Sequence, residues 1–299
     1  MTTKSGDTIR NSSRHAAGHR EMRMVSRDFR RRIPPALPLA APAAIALCAV
    51  AVVPVLAAIW LSLHHSIVVF HDARFTGLAN YAFLLRDPRF RGALGTTAYF
   101  TAAAVLLELA LALPLSLLLA DGPGLLRAAV LVPWAVPTAV SAKLWAWILN
   151  PDYGLFRVDW LSSPRAALHA AILIDVWKTT PFVALLLLAG LQSIPRDVFQ
   201  AARVDGAGSF RIFRTITMPL LKPAILLALL FRTLDAFRVF DAIYVLTEGG
   251  PGHSTETLSI YAYKTLMRSA DFGYGSTLAV ATFACVLGIS AVYLWRLRR

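Results

Sequence analysis

The sequence predicts an all-α integral membrane protein: six transmembrane helices, with a short amphipathic helix at the membrane surface between helices four and five. Three observations carry this. Hydrophobic residues make up 57% of the 299 and charged residues only 16%, a balance that soluble domains rarely reach. The apolar residues fall into six long runs, each able to cross roughly 30 Å of hydrocarbon as a helix. The net charge of +13 is concentrated at the ends of those runs. That placement fits membrane orientation and argues against a nucleic-acid-binding surface.

Residues 1–33 are polar and end in Arg30, Arg31 and Arg32. They predict a basic, disordered cytoplasmic tail. A signal peptide is the alternative reading; against it, the next run, Ile33 to Leu63, is uncharged over 31 residues, far longer than a cleavable signal's apolar region. The spans of the transmembrane domain, residues 34–299, are expected at about 36–63, 93–120, 125–149, 167–191, 220–246 and 275–295. Pro38, Pro42 and Pro54 kink or delay the first. With six spans, both termini and the loop after span four share one side. That side carries 18 of the 30 Lys and Arg residues against eight on the other, with four inside spans, so it is the cytoplasmic side of a cell membrane.

The loop itself, Phe199 to Pro223, is a basic island between two apolar runs. Gln200, Ala201 and Ala202 suit a helix, Asp205-Gly206 marks a sharp turn, and Phe210, Phe213 and Ile216 recur at helical spacing. On Ala201, Ala202, Asp205, Gly206, Ala207 and Pro219 the stretch resembles the EAA loop of permease subunits of binding-protein-dependent ABC importers. There the loop is a cytoplasmic coupling helix seated in a groove of the ATPase. Gln200 stands where that family usually carries glutamate, which removes any ion pair made by the carboxylate and leaves the helix and turn intact. The resemblance assigns Gln200, Ala201, Ala202, Asp205, Gly206 and Ala207 to ATPase coupling.

Ionisable residues inside spans are costly and normally face a cavity or a partner. In span four, Asp175, Lys178, Thr179 and Phe182 share one helical face, beside Pro181, which interrupts the backbone ladder. In span five, Arg232, Asp235, Arg238 and Asp241 recur every three residues. Two readings stay open for these groups. They could neutralise one another in the bundle interior, or they could contact a ligand. A sugar suits them: carboxylates, arginine and threonine satisfy hydroxyls, and Phe182 or Phe237 can stack on a ring. Asp175, Lys178, Thr179, Phe182, Arg232 and Asp235 are therefore expected to bind substrate, and Arg238 with Asp241 to form a gate or subunit contact. Glu108 and Lys143 are single charges expected to pair between helices. Cys48 and Cys285 lie in apolar runs without metal-ligand spacing, as small hydrophobes do.

The outer segments strengthen the resemblance. Phe75-Thr76-Gly77-Leu78-Ala79-Asn80-Tyr81 and the stretch from Glu248 to Tyr274 are similar to outer loops of sugar-importing permeases of the maltose and glycerol-phosphate type. The span-four and span-five text is most similar to disaccharide permeases of the trehalose type. The resemblance implies a transport subunit, not an enzyme. Its partners would be a second permease subunit in a heterodimer, two cytoplasmic ATPases that carry ATP and Mg, and an extracytoplasmic sugar-binding protein. It implies no cofactor or metal in this chain and no nucleic acid. A polyol-phosphate importer is the alternative substrate class, and a membrane sensor or scaffold the alternative function. An intramembrane enzyme is disfavoured because no histidine lies deep in a span.

Overall fold

The computed structural model describes residues 36–67 and 72–297. The tail expected over 1–33 lies outside them. The chain up to Ala57 is one unit and the remainder a second. In the first, helix α1 (Ala36–Ser62) begins and turns Leu47, Val50 and Val53 outward.

The second unit continues with a hairpin, β1 (His64–Ile67) against β2 (Asp72–Phe75), antiparallel with His64 opposite Phe75. The sequence predicts an outer loop here, without the hairpin. Helix α2 (Ala79–Arg86) leads to α3 (Pro88–Ala120), whose N-terminus is capped by Asp87 accepting from the Arg89 amide at 2.8 Å, with proline at the first helical position. Three short helices follow: α4 (Gly124–Val130), α5 (Val132–Ala135) and α6 (Thr138–Ile148). Then come α7 (Pro164–Gln192), α8 (Arg196–Val204), α9 (Ser209–Ile212) and a π-helical turn, Phe213–Thr217. The chain closes with α10 (Met218–Phe237), α11 (Asp241–Thr247), α12 (Leu258–Tyr263) and α13 (Phe272–Leu297).

Four stretches among the described residues are long and apolar enough to cross a membrane: Ala40–Ser62, Pro88–Ala120, Pro164–Gln192 and Phe272–Arg296. The other two expected spans are helical but interrupted. The run 125–149 is broken around Pro133 and Pro137, with Val136 forced into an extended conformation (ψ 132°) ahead of the second proline. The run 220–246 stops at Phe237 and restarts as α11, so Asp241 does not share a helix with Arg232.

The core is built on α3, α7 and α10. Small residues let these helices approach: Ala104, Ala112, Ala170, Ala171, Ala184 and Ala228 are fully or almost fully buried, beside Phe100, Ile174 and Leu187. At Gly190 a Cβ would stand 2.5 Å from the Cβ of Ala224, so only glycine permits this crossing of α7 and α10.

Candidate substrate cavity and membrane-surface loop

Helices α3, α7 and α10 each bring charge to one buried point. Arg232 of α10 is 3% exposed and donates from Nε to Glu108 Oε2 (2.5 Å) and from Nη2 to Glu108 Oε1 (2.6 Å). Nη2 also reaches Asp175 Oδ2 at 2.9 Å, and Nη1 donates to Asp235 one turn along. The Thr179 hydroxyl lies 2.6 Å from both Glu108 Oε1 and the carbonyl of Asp175. One guanidinium thus ties three helices together through charge-assisted bonds, the arrangement a buried cation needs to offset its desolvation. Glu108, fully buried on α3, fulfils its expected interhelical pairing. Lys143 is exposed on α6 and forms no ion pair among the described residues.

Beside this cluster lies a cavity of about 460 Å³, lined by Trp134, Thr138, Asp175, Lys178, Thr179, Asp235, Ala236, Arg238, Val239, Phe240, Asp241 and Ala242. That volume falls within the roughly 300–1,000 Å³ of small-molecule sites. The structure therefore brings Asp175, Lys178, Thr179 and Asp235 to one space, joined by Arg238 and Asp241. The last two do not pair: Arg238 Nε donates to its own Leu234 carbonyl at 3.1 Å. Two predicted residues stand behind the wall. Arg232 is spent on carboxylates, and Phe182 stacks on Trp134, with ring centroids 5.4 Å apart and planes at 11°. Phe237 is buried in a different cluster with Tyr261 and Leu278; Phe240 and Trp134 are the aromatic residues of the lining. Lys178 does not pair with Asp175. Its Nζ donates to the carbonyl of Trp134 at 3.2 Å.

Trp134, which lines the cavity, is not among the site residues predicted from the sequence. A signal was present: one aromatic residue between two prolines, Pro133 and Pro137, inside an apolar run. A broken span leaves backbone groups unpaired, and at membrane depth such backbone is tolerated only in protein or against a cavity.

The loop after α7 is a compact knob. Helix α8 ends in a Schellman turn: Gly206 sits at φ 74°, its amide donates to Arg203 O (3.0 Å), and the Ala207 amide donates to Ala202 O (2.9 Å). A Cβ at Gly206 would meet nothing, so the glycine is there for its backbone angle. Ala202 is buried, whereas Gln200, Ala201, Asp205, Val204 and Phe210 are exposed.

At the other end of α3, Glu256 is 1% exposed and accepts from Arg89 Nε (2.7 Å), Arg89 Nη2 (2.9 Å) and Lys264 Nζ (3.0 Å), with His253 Nδ1 at 3.0 Å. Burial pushes its carboxyl up, but the bonds from Arg89 and Lys264 outweigh that and hold it at about 2. Burial likewise acts to raise Asp87. The hydroxyls of Tyr261 and Tyr274, each 2.6 Å from Oδ2, and the Arg89 amide leave it below the usual carboxylate range.

Long apolar helices, a broken span and a charged cavity among them define a multi-pass helical membrane protein of the permease class. Residues 112–298 match the family model described as "Binding-protein-dependent transport system inner membrane component", and the chain belongs to that family of ABC importer permeases. It is 45% identical to the "Trehalose/maltose transport system permease protein MalF" of Thermococcus litoralis over 256 residues, 81% of this chain and 86% of that one. It is 41% identical to the "Trehalose transport system permease protein SugA" of Mycobacterium tuberculosis over 91% of each chain. It is also 41% identical to the "Sulfoquinovosyl glycerol transport system permease protein SmoG" of Agrobacterium fabrum, over 86% of this chain and 88% of that one. Its fold matches a chain of a crystal structure of "a bacterial ABC transporter involved in the import of the acidic polysaccharide alginate", with TM-score 0.77 at 20% identity, over 94% of this chain and 99% of that one.

Proposed function

We propose that this chain is the membrane-spanning subunit of an importer for a sugar, a disaccharide such as trehalose or a related glucoside. An extracytoplasmic binding protein delivers the sugar, a second permease completes the pore, and two cytoplasmic ATPases drive alternating access. ATP and Mg belong to those ATPases. Both termini and the loop from Phe199 to Pro223 face the cytoplasm. Gln200, Ala201, Ala202, Asp205, Gly206 and Ala207 form the docking knob, a role supported by the exposed Val204 and Phe210 around its glycine turn.

The observation that carries the substrate class is the cavity's chemistry. Its lining carries Asp175, Asp235 and Asp241 against Lys178 and Arg238, so acidic groups outnumber basic ones in the cavity. A dianionic polyol phosphate meets net repulsion here, whereas a neutral sugar finds acceptors, donors and an aromatic residue in one place. The trehalose systems named among the relatives support the same class. Uptake assays with the complete importer test this reading. Radiolabelled trehalose is expected to enter and glycerol phosphate to be refused, and Asp235→Asn is expected to cut sugar uptake. Preferential glycerol-phosphate uptake by the wild-type importer, or undiminished trehalose uptake by Asp235→Asn, would overturn the assignment.

A further inference from the structure

We propose that Trp134 is the platform on which a pyranose ring stacks inside this cavity, and that the broken third span exists to present it. The proposal rests on the sugar-importer reading above and names the residue that recognises the apolar face of the cargo. Helix α5 is only four residues long, and the chain leaves it through Val136 and Pro137 in extended conformations (ψ 132° and 139°). Interrupted backbone at this depth is expected beside a cavity, and Trp134 lines one.

The residue is held rather than loose. Phe182 of α7 stacks nearly parallel on the indole, and Lys178, one turn earlier on α7, ties the Trp134 carbonyl. Yet Trp134 is 46% exposed, and among the described residues no second ring contacts it. An aromatic side chain fixed from behind and open in front is a preorganised surface. It shares the cavity with Asp175, Asp235 and Lys178, groups that can bond ring hydroxyls while the apolar ring face rests on the indole. Phe182 then acts through Trp134 as its support.

The test compares four variants in the complete importer, reconstituted in proteoliposomes with trehalose as the probe. Trp134→Phe and Trp134→Tyr are expected to keep uptake within about threefold of wild type. Trp134→Leu and Trp134→Ala are expected to lose roughly tenfold, the loss of one aromatic contact. ATP hydrolysis stimulated by the binding protein is expected to persist in all four. Leucine preserves apolar packing on Phe182 without a π-face, so a purely structural tryptophan would be replaced by leucine as well as by phenylalanine. Equal uptake by the leucine and phenylalanine variants would overturn the stacking role. A wild-type complex that hydrolyses ATP but imports no sugar would instead overturn the reading beneath it.

Discussion

Two charge clusters in this chain are mirror images, and the difference between them separates holding from handling. Around Arg232 one cation is surrounded by three carboxylates, from Glu108, Asp175 and Asp235. Around Glu256 one carboxylate is surrounded by Arg89, Lys264 and the His253 ring. Both central groups are buried. The Glu256 cluster occupies both oxygens of its one carboxylate and pins the segment before α12 to the start of α3, with Arg89 and His253 at its exposed rim. The Arg232 cluster opens on one side: Asp235, with a side chain 67% exposed, reaches from the guanidinium into the cavity. In the function proposed above, the excess acceptors of the Arg232 cluster are the groups that meet the cargo. The Glu256 network leaves no carboxylate oxygen over, whereas the Arg232 network leaves an acidic side chain in the cavity.

The comparison can be broken, and the expected losses of stability run from large to small. Arg232→Met leaves three carboxylates facing one another in the bundle and should cost at least about 3–5 kcal/mol, seen as loss of folded protein in detergent. Adding Glu108→Gln to that variant should recover part of it. Recovery of none would mean that the two residues do not act as a pair.

Glu256→Gln should cost about 2–3 kcal/mol at neutral pH, following the depression of its carboxyl from an ordinary 4.5 to about 2. The sign is that of a lowered acid: the contribution is complete above about pH 4.5 and fades as pH falls toward 2. Wild type should therefore lose thermal stability over that window more steeply than Glu256→Gln. Parallel curves would remove the network's stabilising role.

Gly206→Val forces a β-branched residue to φ 74° and should cost about 1–2 kcal/mol locally, leaving the spans folded while import stops. Normal import in this variant would refute the docking role of the loop. Asp235→Asn should change stability least, within about 0.5 kcal/mol because its side chain is mostly exposed, while trehalose uptake falls. A variant as unstable as Arg232→Met would place Asp235 in the scaffold.

Residue types and their periodicity are legible in the sequence alone. Charges at three- and four-residue spacing in spans four and five announced a polar site, and the Asp205-Gly206 pair announced a turn that Gly206 takes with positive φ. Which charge meets which was not legible. Asp175 faces Lys178 at one turn's separation, yet it bonds Arg232, 57 residues away, and Arg232 in turn takes Glu108 at a separation of 124.

The sequence by itself determined that this chain lies in a membrane and where its apolar runs begin and end, and its basic residues carry the orientation proposed above. Those properties depend on local composition, and the bilayer reads them segment by segment. The tertiary structure alone decided that Arg232 is a tie between helices, that Phe182 supports a tryptophan in another segment, and that a broken span faces the cavity. Packing chooses among equally apolar helix faces, and small residues such as Gly190 and Ala224 set how closely those faces meet. A charged side chain can choose its partner only after that choice is made.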